Sequence, residues 1–120
     1  MFNIVPLFSS SKGNSILIES DDTRLLVDVG VSAKQLCLAL DSLNINPNSI
    51  EAILVTHEHS DHIKGIRVLA SKYNIPVFAT KKTWEKLTSV DISDTLKNFF
   101  EPNILYNNLI ENMNEGLLKA

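Results

Sequence analysis

His57, His59 and His62 are the only imidazoles in the chain, and all three fall within the stretch HEHSDH, with Asp61 directly before the last. Imidazole and carboxylate together form a donor set suited to Zn²⁺, Mn²⁺ or Fe²⁺. This is not the helical zinc-protease pattern, which would need a histidine where Asp61 stands. His57 and His59 lie two apart at the end of an apolar run, so extended backbone would aim both the same way. Asp61 and His62 come after the chain has begun to turn into a helix and should face a different point. The spacing therefore points to two adjacent metal positions, one served by His57 and His59 and the other by Asp61 and His62. Two ions ~3.5–4 Å apart can share a hydroxide and clamp a phosphate or carbonyl oxygen. A hydrated histidine-rich loop is the competing reading, but the apolar runs on both sides would then frame nothing.

The elements around this stretch read as an α/β layer. FNIVPLF is a first strand ending near Phe8, and SSSKGN is a turn in which Gly13 and Asn14 suit positive φ. SILIES alternates like a half-buried strand, Asp21 and Asp22 turn the chain, and TRLLVDVG reads as a strand buried on both faces. These three make an antiparallel meander. A helix follows, with Ser32 as N-cap, Gln35 completing a capping box, and Ala33, Leu36, Cys37, Leu40 and Leu43 on one face. Cys37 reads as a small buried hydrophobe. Asn44 and Pro47 end that helix. EAILVT is a buried strand leading into the histidines, and a single helix is predicted over 63–73 with Ile63, Ile66, Ala70 and Tyr73 inward. IPVFAT and KKTWEKL add a strand and a brief helix. Residues 89–120 read as an Asn-rich tail, with six asparagines from Asn98 to Asn114 and a weak amphipathic helix over Ile104–Leu117. The organisation expected is a partial domain over 1–88 and a tail over 89–120.

Composition narrows the function class. The chain has 120 residues, 44% of them hydrophobic, enough for one domain with a modest core. No run is long enough to span a membrane, and no basic segment followed by an apolar stretch marks a secretory signal. A single cysteine fits a reducing, cytoplasmic setting. The net charge of −3 comes from residues 89–120, which carry two Lys/Arg against five Asp/Glu, while residues 1–88 carry nine of each. That balance excludes nucleic-acid binding by charge alone. Lys64, Arg67, Lys72, Lys81 and Lys82 lie near the motif in sequence, most of them on what reads as a solvated helix face.

HEHSDH, behind a buried apolar strand and ahead of a helix, resembles the HxHxDH motif of the metallo-β-lactamase superfamily. LLVDVG resembles the strand upstream of that motif, whose aspartate, here Asp28, would support the metal loop; a strand-end turn residue is the plainer reading of Asp28. The likeness is stronger to the YycJ/WalJ (VicX) branch. Its serine-rich S-S-G-N turn is matched by Ser10, Ser11, Gly13 and Asn14, with Lys12 inserted, and LVTHEHSDHIKG and NIPVFATKKTW also look like that branch. The resemblance covers residues 2–88 and extends toward FEP at 100–102. It implies a four-layer αββα sandwich with a two-metal site at one edge. His57 and His59 would bind one ion, and Asp61 and His62 the other, with zinc or manganese as the metal. Asp61 would also orient the hydroxide that acts as nucleophile, and Ser11, Gly13 and Asn14 would form a turn on the substrate side. The implied activity is a metal-dependent phosphodiesterase, a DNA exonuclease. Hydrolysis of a β-lactam or thioester is an alternative.

The superfamily pattern also requires further histidines and a bridging aspartate downstream. No histidine follows His62, and only Asp91 and Asp94 remain among the aspartates. The expectation is a truncated, frameshifted or split protein, in the last case with a second chain supplying the missing half. Alone it would be a weak metal-binding module or a non-catalytic remnant.

Overall fold

The computed structural model describes residues 2–100. Six strands form one sheet in sequential order: β1 (Asn3–Ser10), β2 (Gly13–Glu19), β3 (Arg24–Val27), β4 (Ala52–Leu54), β5 (Val77–Ala79) and β6 (Lys97–Phe99). β1, β2 and β3 pair antiparallel, as the tight turns between them require, and β3 through β6 pair parallel. The change of direction falls where connections lengthen enough to hold helices. α1 (Ala33–Ser42) joins β3 to β4; α2 (Ser60–Ile63) and α3 (Ile66–Tyr73) join β4 to β5; α4 (Lys81–Lys86) leads towards β6.

The strand register sorts the side chains onto two faces. Leu17, Leu26, Ile53 and Val77 stand in register on one face, each fully buried, and join Leu36, Leu40, Ile66 and Leu69 of α1 and α3 in one core. The other face presents Ile16, Val27, Leu54 and Phe78 in one row and Ile4, Ile18 and Leu25 in another. These are only half-buried, and Ile4 is 60% exposed.

Local signals are borne out where the physics is local. Ser32 caps α1 in a full capping box with Gln35. Leu36 and Leu40 are buried on the expected stripe, whereas Leu43, at the C-cap, is 44% exposed. Asn44 ends the helix with φ 58. Thr80 caps α4. The single helix predicted over 63–73 is instead two, broken at Gly65. The Gly65 N–H bonds to the Val29 carbonyl at 2.9 Å, and a Cβ there would lie 2.2 Å from the Val31 carbonyl oxygen. The backbone of the β3–α1 segment occupies the space that a side chain would need. The segment predicted as a tail continues the sheet over its described part, with a 3₁₀ turn at Asp94–Leu96 and β6 paired to β5. The weak helix predicted beyond Ile104 lies outside the described residues.

Candidate metal centre

The histidine loop leaves the C-terminal end of β4 beside the end of β3. Parallel strands bring their carboxyl ends to one edge, so Asp28 and Thr56 meet there. Asp28 sits at φ 63, in the left-handed region that aspartate enters at modest cost. Its N–H bonds to the Leu54 carbonyl at 2.8 Å, and the residue is 4% exposed. The carboxylate is fully engaged. Oδ1 accepts the Thr56 N–H at 2.8 Å, while Oδ2 accepts the Thr56 hydroxyl at 2.6 Å and meets His62 Nδ1 at 2.7 Å.

This arrangement sets the protons on two imidazoles. As a carboxylate Asp28 only accepts, so His62 Nδ1 carries its hydrogen inward. Thr56 Oγ1 has one hydrogen, already donated to Asp28. Its 2.9 Å contact with His57 Nδ1 therefore requires that ring to donate. In the neutral rings Nε2 is then the bare nitrogen, on the side of each ring away from Asp28. Buried Asp28 thus reaches Nδ1 of both rings, one directly and one through a hydroxyl.

The loop residues lie close together. The ring centroids of His57 and His62 are 3.9 Å apart, and those of His57 and His59 are 5.3 Å apart. β4 ends at Leu54, so His57 and His59 lie in residues 55–59, beyond the strand. His59 is exposed and serves as the N-cap position of α2. Asp61 and His62 are half-buried in the first turn, with Asp61 Oδ2 3.4 Å from His62 Nε2. With no proton on Nε2, two lone-pair donors face each other at that distance. It matches the edge, roughly 3.3–3.4 Å, of a tetrahedron of ligands about an ion bound at ~2.0–2.1 Å. The Asp61–His62 pair thus has the chemistry and spacing of two metal ligands. Among the described residues no three His, Cys, Asp or Glu side chains converge as a closed metal site. The loop offers donors in pairs, and a firmly held ion needs three or four.

Of the serine-rich turn, Ser11 is exposed, Gly13 is buried, and Asn14 reaches the loop. Its Nδ2 lies 3.2 Å from Asp61 Oδ2 and 3.3 Å from the Asp61 carbonyl. Gly30 closes the same junction: its N–H bonds to the Asn14 carbonyl at 2.8 Å, and a Cβ there would overlap the Asp61 carbonyl. Glu58, within the motif, ionises more readily than usual. Its own backbone N–H is the main cause; partial desolvation opposes it, and Lys86, with Nζ 3.7 Å away, adds to the lowering. Thr56 and the reach of Asn14 to Asp61 escaped the sequence reading. The only local signal for Thr56 is a hydroxyl residue directly before the first histidine.

Residues 11–108 match the metallo-beta-lactamase superfamily. The chain belongs to that superfamily. Its members bind divalent metal ions, generally zinc. Among its relatives, an exodeoxyribonuclease WalJ of Streptococcus pneumoniae serotype 2 (strain D39) is 41% identical over 79% of this chain and 37% of its own length. An exodeoxyribonuclease YycJ of Bacillus anthracis is 48% identical over 68% of this chain and 31% of its own. The crystal structure of the metallo-beta-lactamase SMB-1 in complex with mercaptoacetic acid superposes with a TM-score of 0.65 at 18% identity, covering 83% of this chain and 43% of that one. The chain thus spans about a third of the length of these curated relatives. The mixed six-stranded sheet is the fold expected for this superfamily, over part of its length. No helix among the described residues is long and apolar enough to cross a membrane.

Proposed function

We propose that His57, His59, Asp61 and His62 supply part of a two-metal hydrolase site, and that the substrate of the complete site is a phosphodiester of DNA. The observation that carries the metal reading is the geometry of His62, whose Nδ1 lies 2.7 Å from Asp28 Oδ2 while its Nε2 faces Asp61 Oδ2 at 3.4 Å. Zinc or manganese suits this donor set. Bound there, the metal would supply an activated water and stabilise charge on the attacked group. This chain's own residues do the preparatory work. Asp28 and Thr56 fix the protons of His62 and His57, and Asp61 brings a negative charge to the edge of the sheet. The choice of DNA draws on the two exodeoxyribonuclease relatives. With donors present only in pairs, residues 1–120 alone are expected to hold metal weakly and to cleave little.

The test joins residues 1–100 to the remaining length of the Bacillus anthracis relative and follows nucleotide release from end-labelled single-stranded DNA in Mn²⁺. Cleavage that is abolished by chelator and by Asp61→Asn is expected. A chimera that folds and hydrolyses a β-lactam or a thioester but leaves DNA intact would overturn the substrate assignment.

A further inference from the structure

We infer that Asn14 is the positioning residue for Asp61: one hydrogen of its side-chain amide, shared by the carboxylate and the carbonyl of Asp61, holds that carboxylate against His62. The inference rests on the metal role proposed for Asp61 and adds to it the group that aims it. Asp61 lies in α2, a helix of four residues whose N-cap makes no side-chain hydrogen bond. Such a short segment does little to hold an aspartate in one rotamer, and its side chain remains 29% exposed.

The restraint comes from β2, 47 residues away in sequence. Asn14 Nδ2 has two hydrogens and three acceptors within reach. The Ser10 carbonyl at 2.9 Å takes one and closes the hairpin. The other falls between Asp61 Oδ2 at 3.2 Å and the Asp61 carbonyl at 3.3 Å. All three partners are acceptors, so the amide must present its nitrogen, and an aspartate could not replace it. Asn14 is itself fixed, because its carbonyl accepts from Gly30 and the Gly30–Asp61 backbones are in direct contact. Asp61 Oδ2 is thereby held by an amide donor, at 3.4 Å from His62 Nε2, the spacing on which its metal role rests. This gives the serine-rich turn a use beyond turning the chain: it delivers Asn14 to the metal loop.

The experiment uses the full chain and zinc alone as probe, with affinity measured by calorimetry and folding by urea midpoint. Asn14→Ala is expected to weaken zinc binding ~10–100-fold, the usual cost of losing a group that orients a ligand. Asn14→Asp should weaken it at least as much. Asn3→Ala serves as the control for a loss within the same hairpin, since Asn3 bonds to Glu19 at its far end. It should lower the urea midpoint and leave zinc affinity unchanged. If Asn14→Ala and Asn3→Ala both leave affinity within twofold while Asp61→Ala lowers it, Asn14 has no positioning role and the inference fails alone. If Asp61→Ala leaves affinity unchanged, the metal role of Asp61 itself is wrong. Should Asn14→Ala not fold, the side-chain amide resonances of Asn14 in the unmodified chain decide: they move on zinc addition if the inference holds, and an unmoved signal overturns it.

Discussion

Asp28→Asn should reverse the hydrogen-bond chain that prepares the two imidazoles while changing almost no volume. The amide oxygen is expected to stay where Oδ1 accepts the Thr56 N–H, since that donor cannot reverse. The amide nitrogen then replaces Oδ2, facing Thr56 Oγ1 and His62 Nδ1, at 2.6 and 2.7 Å in the native chain. Its two hydrogens match those two partners. Thr56 would accept and turn its own hydrogen onto His57 Nδ1, and His62 Nδ1 would become an acceptor. Both rings would then carry their proton on Nε2, the atom meant for metal. Every hydrogen bond survives in number, so the fold should too. Three charge-assisted bonds become neutral ones, which at ~1 kcal/mol each predicts a loss of about 3 kcal/mol in stability. Zinc affinity should fall by at least the ~10–100-fold typical of such partners. The assay is a two-bond ¹H–¹⁵N spectrum of the histidine rings at neutral pH, paired with zinc calorimetry and a urea titration. Unchanged ring tautomers, or an affinity within twofold of the native chain, would refute the proton assignment. Asp28→Ala is a poorer probe, since it strands three donors and also destabilises the loop.

His57→Ala/His59→Ala should abolish most calorimetric zinc binding, and titrations identical to the native chain would count against any metal role for the loop. Gly30→Ala places a Cβ into the Asp61 carbonyl and should cost roughly 4 kcal/mol or prevent folding; urea denaturation measures it. Glu19 is held below the usual carboxylate range chiefly by its hydrogen bond from Arg24, and next by one from Asn3. A carboxyl lowered on folding stabilises at pH above its unfolded pKa and loses that contribution as pH falls through the folded value. Glu19→Gln should therefore lower stability slightly at neutral pH and leave it unchanged in acid, flattening the acid side of the stability–pH curve, as a midpoint series across that range would show.

How much was legible beforehand follows from the range of the interactions. The capping box of Ser32 and Gln35 spans three residues and was visible as a pattern, as were the apolar strands and the helix end at Asn44. The break at Gly65 was not, because it is imposed by Val29 and Val31, more than thirty positions earlier. β6 escaped because KNF has neither alternation nor β-branched residues; its pairing with β5 decides its state. The metal loop announced its residue types, though the strand alternation used to pair His57 with His59 stops at Leu54. Asp28 was suspected as a brace from a resemblance. That it works through Thr56, and that Asn14 acts on Asp61, depends on contacts across 28 and 47 residues that no local pattern encodes.

The half-buried sheet face of Ile4, Ile16, Ile18, Leu25, Val27, Leu54 and Phe78 has a calorimetric consequence. The heat-capacity step of unfolding reports the apolar surface newly wetted. Much of this face is already wetted in the folded chain, so its share of the step is missing from the start. The expected value falls below the ~12–15 cal/mol/K per residue of ordinary domains. A smaller step means a flatter stability curve, with its maximum at a lower temperature and its fall on cooling more gradual. Anything that seats against those two apolar rows would restore the curvature as it dries them, and a differential scan with and without it would register the contact as heat capacity.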